Sequence, residues 1–418
     1  MKKIPRESYI RRLIESQDNG LVKIITGIRR CGKSYLLFNL FHDYLNQTGI
    51  DDEHIIEFSM DSLDNEQFNA PHTMLAAVRA RIKDRKKYYI FLDEIQMMPG
   101  FESLLNTLLH TRNVEVYVTG SNSHFLSKDI VTEFRGRGEE IRMHPLCFRE
   151  FSLAYAAPDD ECWEDYFNYG GMPLVLSYSS PERKMNYLEQ LFRQVYEADI
   201  KERHHVRNTA EFDELLDVLA SAVGSLTNPK KLADTFQSLK GKIISPKTLR
   251  SYIDYMEDSF MLNRALRYDV KGKKYINTPL KYYFEDVGLR NIRLGFRQQE
   301  ENHIMENIIY NELLVRGYSV DVGMVEIKKQ DKDGKWVRIQ LEVDFIASLG
   351  SKKYYVQSAL SIPDREKEIQ ESRPLTNIND SFKKVIIVKD HIMPRRNEEG
   401  ILTIGLFDFL LKEDSLDL

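Results

Sequence analysis

The 418-residue sequence predicts an α/β fold: a three-layer domain with a parallel sheet, then a helical segment and an α+β region. Three observations predict it. Apolar runs of strand length alternate with helix-length amphipathic stretches through the first third of the chain. Within them, Gly27-Ile28-Arg29-Arg30-Cys31-Gly32-Lys33-Ser34 fits G-x-x-x-x-G-K-[ST] between a strand and a helix. Downstream, the apolar run Tyr88-Tyr89-Ile90-Phe91-Leu92 ends in two carboxylates, Asp93 and Glu94.

The glycine-punctuated loop fixes the chemistry of the first domain. Leu21 to Thr26 reads as a buried strand, and residues 35–41 as an apolar helix. Gly27 and Gly32 let the backbone turn tightly and aim several N–H groups at one anion. The helix N-terminus adds partial positive charge. The phosphate cradle therefore comprises Gly27, Ile28, Arg29, Arg30, Cys31, Gly32, Lys33, Ser34 and Tyr35. Lys33 reaches the β- and γ-phosphates, and the Ser34 hydroxyl ligates Mg2+.

The other elements of this domain follow in order. Residues 6–16 read as a helix, His54 to Ser59 as a strand and residues 70–83 as a helix. At the tip of the 88–92 strand, Asp93 is the anionic partner of the magnesium shell, and Glu94 orients or deprotonates the attacking water. The acid-bearing strand is expected beside the loop-bearing strand, since both must reach one ion. Residues 101–110 carry Phe101, Leu104, Leu105, Leu108 and Leu109 on one helical face. The strand Val114 to Thr119 leads to Ser121 and Asn122, candidates to sense the γ-phosphate, with helix capping as their alternative. Arg137, and after it Arg135, are candidates for an arginine finger, a solvated basic loop being the alternative.

Composition sets bounds. Hydrophobic residues are 42%, charged residues 29% and the net charge is −5, so any nucleic-acid surface must be local. Three scattered cysteines, Cys31, Cys147 and Cys162, give neither a disulfide framework nor a zinc site and suit a reducing, cytoplasmic setting. No apolar run reaches the roughly 18 residues of a membrane span.

With these residues in view, the chain resembles a group of prokaryotic AAA-type ATPases. The matching stretches are the loop at 27–34, Leu92-Asp93-Glu94-Ile95-Gln96 and Thr119-Gly120-Ser121-Asn122-Ser123. They continue with Gly136-Arg137, His144 through Phe151, and Gly170-Gly171-Met172-Pro173. The resemblance implies ATP as the nucleotide, an N-terminal ATPase domain, a winged-helix segment and a C-terminal domain related to restriction-type nucleases. Expected boundaries are 1–150 for the ATPase, 151–207 for a helical linker, 208–297 for the winged helix and 298–418 for the nuclease-like part.

The middle supports that outline. Residues 148–205 look helical, broken at Gly170-Gly171-Met172-Pro173. Residues 211–224 form a helix, Asn228 caps a second, and Ser245-Pro246 starts a third. A β-rich stretch turning at Lys271-Gly272-Lys273-Lys274 completes a winged helix-turn-helix pattern. Its local basic charge points to DNA phosphates, against an acidic flank of Asp254, Glu257 and Asp258; packing on a protein partner is the alternative.

From residue 298 the reading is a helix at 300–316 carrying Glu306, then strands at 318–322, 324–329, 337–346, 354–360 and 384–388. The strand Gln340-Leu341-Glu342-Val343-Asp344-Phe345 resembles the first acid-bearing strand of restriction-type nucleases. Gln357 and Ala359 stand where that resemblance implies an acid and a lysine, which predicts a nuclease-like fold without nuclease activity. The functional expectation is therefore an ATPase acting with Mg2+ and ATP, coupled to its later modules. A slow ATP-controlled DNA- or protein-binding switch is the alternative, and oligomeric state is open.

Overall fold

The computed structural model describes residues 3–121, 136–155, 159–240, 244–330 and 334–418. It forms two compact units. One is Met1–Pro145 with Asp258–Phe260, and the other is Leu146–Glu257 with Met261–Leu418. Among the described residues no helix is long and apolar enough to cross a membrane.

The first unit is a three-layer α/β sandwich. Its strands are β1 (Val22–Thr26), β2 (Ile55–Ser59), β3 (Tyr88–Asp93), β4 (Val114–Gly120) and β5 (Gly138–Arg142), in the order β2-β3-β4-β1-β5. Every pairing is parallel. Such a sheet is covered on both faces, so its inner strands β1 and β3 are buried along their whole length, while the edge strand β5 is half-exposed. Alternation still divides the layers. Ile90 and Leu92 of β3 pack with Met74 and Val78 of helix Pro71–Arg81 and with Leu104, Leu105 and Leu108 of helix Phe101–Leu109. Phe91 faces the other layer, where the Phe41 ring lies 5.8 Å from it and 5.0 Å from Tyr117. Each such buried side chain contributes about 1.5–3 kcal/mol.

The strand order corrects one expectation. β3, which bears Asp93, does not adjoin β1; β4 lies between them. Adjacency is unnecessary because the loop after β1 turns back into the helix at residues 33–47, which carries Ser34 over the intervening strand to Asp93.

The second unit opens with helices Phe148–Ala154, Asp159–Tyr169 and Pro181–Gln194. Three more follow, Thr209–Ser221, Pro229–Lys240 and Pro246–Asp258, and then a hairpin of β6 (Leu262–Asp269) and β7 (Lys274–Phe284). Asn228 Oδ1 accepts from Lys231 N at 2.6 Å and Ser245 Oγ from Thr248 N at 3.0 Å, the caps expected for the second and third helices. Thr227 makes an isolated antiparallel bridge to Leu280.

The remaining strands are β8 (Ser319–Gln330), β9 (Trp336–Leu349), β10 (Lys352–Ala359), β11 (Lys383–Val388), β12 (Arg395–Arg396) and β13 (Leu402–Gly405). Two strands expected at 318–322 and 324–329 are one, β8. Its pairing with β9 shifts between Asp321 and Gly323, where a Cβ on Gly323 would meet Val343 Cβ at 2.8 Å. The β6–β7 hairpin is not a separate layer. β6 pairs in parallel with β8, giving one eight-stranded sheet in the order β12-β13-β11-β10-β9-β8-β6-β7. This sheet runs across residue 297, where the sequence places a boundary. Its core includes Val343, Ile346, Tyr355 and Ile386 packed with Leu375 and Ile378.

Candidate nucleotide-binding site

The loop between β1 and its helix is shaped by its neighbour β5. Just past the end of β5, Met143 N donates to Thr26 O at 2.7 Å, and the Met143 carbonyl then faces Gly27. A Cβ at Gly27 would lie 2.1 Å from that oxygen, and Gly27 has φ +145°, so no other residue fits. Gly32 has φ +109° at the helix start. Cys31 turns inward, its Sγ 3.5 Å from the Met143 carbonyl, which leaves the loop's backbone rather than this thiol to face an anion. Arg30 is exposed at φ +63°, Arg29 is half-buried, and Tyr35 is exposed one residue beyond Ser34.

The charged groups converge at the carboxyl ends of β1, β3 and β4. Lys33 is buried, and its Nζ donates to Gly27 O at 2.9 Å and Ile28 O at 3.1 Å, folded back over the loop it serves. Ser34 Oγ donates to Asp93 Oδ1 at 3.0 Å. Burial pushes the Asp93 carboxyl up, while hydrogen bonds from Thr119 and Ser34 pull it back. Glu94 has φ +50°, and its side chain is held by Gln96 and by Ser121, whose Oγ lies 3.3 Å from Glu94 Oε2. The structure thus brings Lys33, Ser34, Asp93, Glu94 and Ser121 together.

Two members of the site were not read from the sequence. Thr119 Oγ1 donates to Asp93 and accepts from Glu94 N at 3.0 Å, joining the two acids. Gln96 Nε2 bridges Glu94 and Ser121, the latter at 3.4 Å. A threonine two residues before Ser121, near the tip of its strand, was the available signal for the first. Asn122 and Arg135 lie outside the described residues.

Arg137 stands elsewhere. It precedes β5 at the level of Val22, whose N–H bonds its carbonyl at 2.9 Å, and its guanidinium donates to Asn106 Oδ1 at 3.2 Å. The loop leaves β1 from the opposite end, ~15 Å away at ~3.3 Å per strand residue. Arg137 therefore lies at the far end of the sheet from the loop of its own chain.

A second polar cluster lies in the other unit. Lys281 of β7 is buried, its Nζ 2.8 Å from Glu306 Oε1, 2.7 Å from Glu342 Oε1 and 3.9 Å from Asp344 Oδ1. Tyr283 adds its hydroxyl to Glu306 at 2.7 Å. Asp344 also accepts from Ser358 N at 2.8 Å, and its own N–H faces Gln357 Oε1 at 3.4 Å. Burial and the neighbouring Glu306 push the Asp344 carboxyl up; the carboxylates hold Lys281 charged despite its burial. Sequence reasoning missed Lys281, because the lysine comes from the hairpin and not from the expected strand. Among the described residues, no group of three or more His, Cys, Asp or Glu is disposed to hold a metal.

Comparison with known proteins agrees with the first unit's geometry. Residues 19–152 match an AAA domain, and residues 160–300 match a domain of unknown function. An uncharacterized protein of Haemophilus influenzae is 33% identical over 415 residues, covering 98% of this chain and 99% of that one. The uncharacterized protein MJ1544 of Methanocaldococcus jannaschii is 26% identical, covering 83% of this chain and 76% of that one. Among solved structures, the Aeropyrum pernix ORC1 protein in complex with DNA overlaps at a TM-score of 0.30 and 14% identity, covering 70% of this chain and 93% of that one. The ADP form of the ORC2 protein of the same organism overlaps at 0.34 and 10%, covering 72% and 92%.

Proposed function

We propose that this chain, which belongs to one family with the Haemophilus influenzae protein and carries an AAA domain, is a Mg2+-dependent ATPase. The observation that carries the reading is the 3.0 Å approach of the Ser34 hydroxyl to the Asp93 carboxylate beside a loop that only glycine can form at Gly27. A hydroxyl and a carboxylate are the oxygen donors that Mg2+ takes alongside phosphates and water, so the residues present fit the ion. When bound, Mg2+ would neutralise phosphate charge and polarise the transferred group.

The chain's own residues supply the rest. Loop amides from Gly27 to Ser34 bind the β-phosphate. Lys33 exchanges its two carbonyl partners for phosphate oxygens, a stronger charge-assisted bond. Glu94, held by Gln96 and Ser121, orients the attacking water and takes its proton. Lys33→Ala should abolish binding of a fluorescent ATP analogue. Glu94→Gln should bind the analogue but lower kcat by about 10²–10⁴-fold. Hydrolysis by Lys33→Ala at the wild-type rate would sink the reading.

A second reading adds DNA. The three helices from Thr209 to Asp258, the β6–β7 hairpin and the Thr227–Leu280 bridge follow the order of a winged helix-turn-helix. Lys247 and Arg250 are exposed on the third helix. The acidic flank that weighs against DNA is engaged: Arg264 binds Asp254 at 2.6 Å and Glu257 at 2.9 Å. In this reading the nuclease-like sheet does no cutting, since Gln357 and Ala359 stand where such a sheet would carry an acid and a lysine. ATPase rates with and without DNA separate a DNA-coupled motor, strongly stimulated, from a slow ATP-controlled switch.

A further inference from the structure

Most of the eight-stranded sheet is buried, but one end of it stands clear. Beyond the half-buried Ile327 and Ile339, the β8–β9 ribbon continues with both faces exposed. Lys328 pairs with Arg338 and Gln330 with Trp336, so alternation puts these four side chains on one face. Two cations directly opposed across strands repel unless an anion sits with them. Glu326 partly serves, 3.3 Å from Arg338, but nothing among the described contacts does the same for Lys328.

Trp336 is 68% exposed, whereas the chain's other tryptophan, Trp163, is 6% exposed. An indole left in water forgoes the burial that makes tryptophan worth placing in a fold, and an exposed one is a contact residue in waiting.

The β6–β7 turn lies beside this ribbon. Asp269 is level with Met324, Lys271 Nζ bonds the Glu326 carbonyl at 2.9 Å, and Arg267 reaches Gln340 Oε1 at 3.1 Å. The turn adds Lys271, Lys273 and Lys274, all exposed. Its one carboxylate, Asp269, is occupied by Gly272 N at 2.9 Å. In a chain of net charge −5, this end of the sheet is a local excess of positive charge with an aromatic plane in its midst.

We propose that these two ribbons bind single-stranded nucleic acid, with Lys328, Arg338 and the turn lysines on phosphates and Trp336 stacked on a base. Stacking decides for a single strand, because an unpaired base offers its face while a base in a duplex does not. The proposal deepens the nucleic-acid reading above, but places the contact on the ribbons rather than on helix Pro246–Asp258.

The full-length protein tests it. Both tryptophans emit, but buried Trp163 is shielded from a surface ligand, so the change in emission on adding oligothymidylate reports Trp336, which should be quenched reversibly with added salt. By anisotropy of a labelled oligothymidylate, Trp336→Ala should bind about ten-fold more weakly. Lys328→Ala/Arg338→Ala should lower the slope of log affinity against log salt by about 1.4, at ~0.7 per phosphate contact. Unchanged emission at saturation, or ribbon variants that bind like wild type, would overturn the proposal. If Lys247→Ala/Arg250→Ala alone abolishes binding, the ribbons fail while the helix reading stands. A duplex of equal length that binds as tightly and quenches as much overturns the single-strand assignment.

Discussion

Thr119 shows how one small side chain organises two acids. It donates to Asp93 and accepts from the Glu94 amide, so it fixes the spacing of the two acidic residues. Thr119→Val keeps the shape and removes both bonds. We expect ATPase activity to fall about ten-fold while urea unfolding shifts by only about 1–2 kcal/mol. Lys281 is one cation shared by three acids. Lys281→Ala leaves Glu306, Glu342 and Asp344 facing one another without their cation, and should cost about 3–5 kcal/mol in the same measurement. The P-loop, Asp93 and Glu94 were legible because their chemistry demands fixed residue types at fixed spacing. Thr119 and Lys281 were not, because their roles exist only once distant strands are paired.

At the scale of elements, the turn Gly170-Gly171-Met172-Pro173 is the informative one. The sequence marks it as a turn, and so it is: Gly170 has φ +73°. Its reason lies over a hundred residues away. Asp286 caps helix Val287–Arg293 through Leu289 N at 3.1 Å and also accepts from Gly171 N at 2.7 Å. A Cβ on Gly170 would strike the Asp286 carboxylate at 2.2 Å, and one on Gly171 the Leu146 carbonyl at 2.1 Å. Gly171→Ala should therefore cost about 3 kcal/mol or more, read as a fall in Tm. Burial pushes the Asp286 carboxyl up to about 7, against the pull of its amide donors. An acid raised on folding adds stability that is complete below its unfolded value of 3.8 and is lost as pH rises through about 7. The urea midpoint should accordingly decline between about pH 4 and 7. Asp286→Asn, with one acceptor oxygen for two amides, should be less stable yet lack that decline. A variant that kept it would place the titrating group elsewhere.

For the whole molecule, the open question is how many chains make one working site. Arg137 sits at the far end of β5 from its own loop, so a finger role requires a second copy. Lys33→Ala and Arg137→Ala, each inactive alone, should regain ATPase activity when mixed, because some sites then combine an intact loop with an intact arginine. No recovery on mixing would remove Arg137 from the catalytic set. The layered α/β class was legible at this scale from alternating runs alone. The order of the strands was not, since nothing local in β3 or β4 records which of them lies beside β1.

The pairing of β6 with β8 has one more consequence, for how this protein can be taken apart. Residues 208–297 look like a portable module, but excising them strips Arg267, Tyr268 and Asp269 of their partners Val322, Gly323 and Met324. Such a fragment carries a raw strand edge and should self-associate in sedimentation, while a fragment of 146–418 stays dispersed. Recombination, in the laboratory or in a genome, has to move the hairpin and the C-terminal strands as a single heritable block.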